Sequence, residues 1–140
     1  MHDRLTLSVS ILDPSLTPEQ IEAISPKEQL LTIMDHLKST GMLSHVIKVG
    51  LLVTDLSQFK DLNAEYVKYF GIKPPVRVCV EIPSKEVIAF FHVFKDSATQ
   101  EFAKVQTNMH VQSISKWAPP NIGPYSQANK IDNIAFLAGQ

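Results

Sequence analysis

The chain has 140 residues, of which 44% are hydrophobic and 19% charged, with a net charge of −1. That length fits one domain and can bury roughly 68% of the surface that its unfolded form exposes. The near-zero charge gives no electrostatic footprint for nucleic acid or an anionic membrane, and no apolar run approaches the ~20 residues of a membrane-spanning helix.

Taken in chain order, the pattern predicts alternating strands and helices. Leu5 to Ile11 alternates apolar and polar residues, the period of a half-buried strand, and Asp13-Pro14 ends it. Thr17-Pro18 and Ser25-Pro26 are two helix starts in succession, a short turn and then a main helix. Leu30, Leu31, Ile33, Met34 and Leu37 form its apolar stripe, and Gly41 supplies the stop. His45 to Val53 reads as a central strand. Asp55 or Ser57 can cap the next helix, whose apolar positions Phe59, Leu62, Tyr66, Val67 and Phe70 run to Gly71. After the rigid Pro74-Pro75 connector, Val76–Ile82 and Val87–Phe94 read as strands, 97–106 as a short helix and His110–Ile114 as a strand. Beyond Trp117, read as a packing anchor, a stretch rich in proline and glycine leads to two short strands joined at Asp132-Asn133. The expected class is α/β (α+β), a mixed sheet with two helices on one face. Its other face needs cover, which self-association would provide.

Two stretches carry a family resemblance. Val53–Phe70 followed by Pro75-Val76-Arg77-Val78-Cys79-Val80-Glu81 resembles the second helix and arginine-bearing strand of the Rid (YjgF-like) family. Gly123-Pro124-Tyr125-Ser126-Gln127-Ala128 with Phe136–Gln140 resembles that family's opening hairpin. In a complete Rid domain the hairpin comes first, whereas here it comes last. The division is therefore 1–116, a Rid-like domain lacking its own opening hairpin, and 117–140, a linker with the opening hairpin of a second copy. The junction His110–Ala128 resembles the one between the tandem Rid copies in the tail of eukaryotic diphthine–ammonia ligases. The resemblance covers nearly all of 28–140 and little of 1–27. It implies an accessory, oligomerisation or small-ligand-binding region of such a ligase, which acts in diphthamide biosynthesis on elongation factor 2. Its ATP would bind an N-terminal domain of the ATP-pyrophosphatase type. No Gly-rich phosphate loop stands in this sequence, so no cofactor is expected here. The other reading is a free-standing enamine/imine deaminase.

The resemblance also names site residues. Arg77 matches the arginine that clamps a substrate carboxylate, chemistry suited to a two-pronged guanidinium. Asn63, Tyr125 and Gly139 match residues of the same cleft. Against this, Arg77 read alone is an ordinary surface ion-pair partner, Asn63 a helix residue bonding locally, and Tyr125 an edge aromatic. Active Rid deaminases place a glutamate on the last long strand, and Phe91 falls at that position. A phenyl ring cannot transfer a proton. His92 would face the other side of the strand, and Glu86 stands at its start.

His2, His36, His45, His92 and His110 show no metal-ligand spacing, so no metal is expected. Cys79 is the single cysteine, which excludes an intramolecular disulfide and points to a reducing compartment. It reads as a small buried hydrophobe. With no signal-peptide layout at Met1, the expected location is cytoplasmic. Family members are typically trimers, so a homo-oligomer is expected, or a pseudo-oligomer between tandem copies. A small carboxylate is the expected ligand, and neither nucleic acid nor membrane an expected partner.

Overall fold

The computed structural model describes residues 2–10, 15–103, 105, 107–116 and 118–139. A four-stranded mixed sheet has the order β1-β4-β2-β3, with β1 at His2–Ser10, β2 at Lys48–Val53, β3 at Val76–Glu81 and β4 at Ile88–Asp96. β4 runs antiparallel to both neighbours, and β2 and β3 are parallel. A parallel pair needs a crossover, and helix α3 at Phe59–Tyr66 provides it. A second sheet, β5-β6-β7, comprises Thr107–Met109, Ala128–Ile131 and Ile134–Leu137. No described helix is long and apolar enough to cross a membrane.

Both predicted helix starts form complete capping boxes. Thr17 and Gln20 open α1 (Pro18–Glu22), and Ser25 and Glu28 open α2 (Pro26–Ser39). Two otherwise orphaned backbone donors are thereby satisfied at each start. The amide and hydroxyl of Ser25 hold the Glu28 carboxyl below the ordinary carboxylate range. The α2 stripe Leu30, Ile33, Met34 and Leu37 is buried with Leu62 and Tyr66 of α3 against Val49, Leu51, Val53, Ala89, Phe91 and Val93. Two helices thus cover one sheet face, as the pattern predicted.

A polar side chain fastens that layer. Gln29, 1% exposed, donates to the carbonyls of Ile24 (3.0 Å) and Lys85 (3.1 Å) and accepts from the amide of Val87 (2.8 Å). It ties α2 to the start of β4. A second apolar cluster, Ile47, Phe94, Ala103 and Ile131 with Phe136 against it, joins the C-terminal hairpin to the main sheet. There Asn129 donates to the Ile47 carbonyl at 2.9 Å and accepts from Asn108 at 2.6 Å.

Four expectations need correction. The described part of 97–106 is a turn, not a helix. The Asp96 carboxylate accepts from the amides of Ala98 and Thr99 at 2.9 Å, Gln100 takes φ 59°, and the chain doubles back to bridge Phe102 to Lys95. Local bonding by Asp outcompetes the helix. The strand expected at His110–Ile114 lies earlier, at Thr107–Met109. The Gln127 side chain accepts from the Val111 amide and donates to the Val111 carbonyl, replacing a partner strand. The central strand starts at Lys48 because Leu43–His45 forms a 3₁₀ turn. The second helix ends at Tyr66, where Lys68→Glu65 and Tyr69→Tyr66 bonds tighten the last turn, rather than at Gly71. Asp55 caps the 3₁₀ turn Leu56–Gln58 that precedes it. Ile11, the stop at Asp13-Pro14, Lys104, Gln106 and the Trp117 anchor lie outside the described residues.

Replacing Gln29 with leucine leaves one buried amide and two carbonyls without a partner. A loss of about 1–3 kcal/mol is expected, read as an earlier midpoint in urea denaturation with an unchanged slope.

Candidate functional site

β3 carries Arg77 toward α3. Its neighbours Val49 and Cys79 follow the same pleat, so the side chain enters the helix-facing layer. There it is not the surface ion-pair partner that its sequence position alone suggested. It is 3% exposed, and both Nη1 and Nη2 are buried without a hydrogen-bond partner. Three aromatic rings surround the guanidinium, with centroids 4.7 Å (Tyr66), 5.2 Å (Phe59) and 5.5 Å (Tyr125) from Cζ. Phe59 and Tyr66 stand two turns apart on one face of α3, which brings both rings under the arginine. Burial pushes the Arg77 pKa down, but guanidinium stays charged in proteins. The site therefore holds a cation supported by aromatic faces.

A cavity of about 520 Å³ opens beside it, lined by Leu56, Phe59, Arg77, Val78, Cys79, Val80, Ile122, Tyr125 and Gly139. No carboxylate lies in that lining. The C-terminal segment closes one side. The Ser126 amide donates to the Pro75 carbonyl (3.2 Å), and the Gly139 amide donates to the Arg77 carbonyl (3.3 Å). Hairpin and arginine strand thus meet in one chain. The Tyr125 hydroxyl accepts from the Ile122 amide at 3.3 Å, which shapes the short loop over the guanidinium. Gly123 lies so close that a β-carbon there would stand 2.7 Å from Arg77 Nη2 and 3.1 Å from Asn63 Nδ2.

The structure therefore brings Arg77, Tyr125 and Gly139 to one cavity. The Asn63 amide lies on the same side of the Gly123 backbone as Arg77 Nη2, and its side chain lines a neighbouring groove with Lys60, Gln112 and Asn121. Sequence reasoning missed Leu56, Phe59, Val78, Val80 and Ile122 as lining residues. Phe59 and Tyr66 were legible only as an apolar helix stripe, because core and cage have the same spacing.

Phe91, which the resemblance aligns with the deaminase glutamate, is fully buried in the helix-side core. His92 faces the opposite side, beside the Phe136 ring at 6.5 Å. Glu86 keeps one buried oxygen without a partner but lies outside the cavity lining. Cys79 is half-buried, and burial, outweighing the pull of Arg77, pushes its thiol pKa up. It rests as the neutral thiol rather than the reactive thiolate. Among the described residues no group of three or more His, Cys, Asp or Glu could hold a metal ion.

No family model matches the chain. The diphthine–ammonia ligase of Schizosaccharomyces pombe is 36% identical over 98 residues, which cover 69% of this chain and 15% of the ligase. That of Saccharomyces cerevisiae is 33% identical over 113 residues, 69% of this chain and 16% of the ligase. A RutC family protein of Sulfurisphaera tokodaii is 35% identical over 60 residues, 42% of this chain and 48% of that protein. The chain thus spans about a sixth of the ligases and half of the RutC family protein. Among solved structures, a Thermotoga maritima protein described as a candidate endoribonuclease aligns with a TM-score of 0.46 at 24% identity, over 65% of this chain and 77% of that one.

Gly123→Ala tests the close approach over Arg77. The added methyl must displace the guanidinium or the loop, and a loss of about 1–3 kcal/mol in thermal or chemical denaturation is expected; an unchanged midpoint would show that the loop does not rest on the arginine. The chain is a homologue of the RutC (Rid, YjgF-like) proteins and of a segment of diphthine–ammonia ligases.

Proposed function

We propose that this chain is a Rid-like, carboxylate-binding region that serves a diphthine–ammonia ligase as an accessory and assembly unit. ATP-dependent amidation of diphthine on elongation factor 2 is assigned to a separate nucleotide-binding domain. The observation that carries the binding role is the Arg77 guanidinium, with two terminal nitrogens lacking any partner, beside a cavity without a carboxylate. A buried cation left unpaired is costly, and a carboxylate offers it two parallel charge-assisted bonds. The Gly123 backbone covers Nη2, so a ligand engages both nitrogens as that short loop yields. The apolar walls favour a short monocarboxylate with an aliphatic tail over a phosphate or a dicarboxylate.

The assembly role is supported by apolar surface on the C-terminal hairpin, where Ile134 and Leu137 are exposed, Leu137 at 66%. A trimer, or a pseudo-oligomer with a second Rid-like copy, would cover it. The deaminase reading finds neither a carboxylate nor a histidine in the cavity lining, whose ionisable groups are Arg77, Cys79 and Tyr125.

Calorimetric titration with pyruvate and propionate tests the binding role. Binding is expected in the wild type and a loss of about 10- to 100-fold in Arg77→Ala, with Arg77→Lys intermediate at best because it loses the two-pronged geometry. Equal binding by Arg77→Ala refutes it. For assembly, light scattering is expected to give a multiple of the 15.6 kDa chain mass, and a stable monomer counts against it.

A further inference from the structure

The outer edge of β3 adds a second feature to the carboxylate site. The Val76 amide donates to the Ile47 carbonyl and the Ile82 amide to the Val53 carbonyl, both toward β2. By the two-residue period of a strand, even-numbered residues of β3 bond inward and Arg77, Cys79 and Glu81 present their backbone groups outward. The Arg77 carbonyl is taken by the Gly139 amide. The backbone groups of Cys79 and Glu81 have no partner among the described residues. An open edge is a template for strand addition. Here it runs between Leu56 and Phe59 on the helix side and Val78 and Val80 on the other, all lining the same cavity.

We propose that this cavity takes the C-terminal end of an extended peptide, added antiparallel to β3 with its α-carboxylate on Arg77. The proposal rests on the carboxylate reading above and names its ligand class. Two observations fix polarity and register. Gly139 blocks the edge at Arg77, so an added strand must end there. The unpaired cation at that end attracts a terminal carboxylate and repels the α-ammonium that a parallel strand would bring. In this register the last residue lies opposite Val78 and the penultimate one exchanges both backbone bonds with Cys79. The residue before that lies opposite Val80, with its amide turned to solvent. Side chains alternate along a strand, so apolar ones would meet Phe59 and Leu56 or Val78 and Val80 in turn. Main-chain bonds would supply affinity and these walls selectivity, as in other strand-addition modes.

Ligand-side probes test this without altering the fold. The wild-type chain is titrated calorimetrically with acetylvaline, with acetyl-tetravaline as free acid and as C-terminal amide, and with two N-methylated tetravalines. The free tetrapeptide is expected to bind about 10-fold or more tighter than acetylvaline through its added hydrogen bonds, and the amide to lose binding. N-methylation of the penultimate residue should abolish the gain, while N-methylation of the residue before it should keep it. Acetylvaline bound with the tetrapeptide no tighter, or both N-methylated peptides equally weakened, overturns the peptide proposal and leaves the carboxylate reading standing. Acetylvaline bound with no tetrapeptide binding, in a chain that light scattering shows to be oligomeric, assigns the edge to a second copy and also overturns it. No binding of any probe overturns both.

Discussion

An uncompensated guanidinium inside the protein constrains much of what surrounds it. Arg77 is 3% exposed, and neither terminal nitrogen has a partner. Removing a charge from water without a counter-ion costs several kcal/mol. The chain offsets part of that cost with the aromatic rings of Tyr66, Phe59 and Tyr125, all within 5.5 Å of Cζ. Phe59 and Tyr66 must then share one face of α3. The loop over the cation must be backbone alone at Gly123.

That cation sits where two parts of the chain meet. The helix-covered sheet supplies Arg77, Phe59 and Tyr66, and the C-terminal segment supplies Tyr125 and Gly139. Between them run two backbone hydrogen bonds, the Asn129–Ile47 contact and the small cluster around Ile131 and Phe94. The cavity is therefore composite, and anything that shifts the hairpin reshapes it.

Much of the fold could be read from the residues. The capping boxes at Thr17 and Ser25 formed where Ser/Thr-Pro with a Glu or Gln three residues on requires them. Strands β2 to β4 and the hairpin turned at Asp132 followed apolar period and turn chemistry. The errors were places where a side chain satisfied the backbone locally. Asp96 captured two amides and turned a helix-like stretch into a loop, and Gln127 bonded Val111 so that no strand was needed there. Such bonds depend on what lies nearby in space, to which periodicity is blind. In the site, Arg77, Asn63, Tyr125 and Gly139 were named through a resemblance; the structure places Arg77, Tyr125 and Gly139 in one cavity and Asn63 in the adjoining groove, with its amide beside Arg77 under the Gly123 loop.

The sequence by itself determined most of the elements, the helix-covered face and the kinship with Rid proteins. Each is a property of local spacing or residue identity. Only the tertiary structure decided that Arg77 is buried with both terminal nitrogens unpaired, that the Phe59 and Tyr66 rings of α3 flank it, and that Gly123 closes over it. It also decided that the last hairpin packs against the arginine strand of its own chain, leaving the edge at Cys79 and Glu81 open. Burial, pairing and strand neighbours are relations between distant residues, and they come into being only when the sheet is assembled.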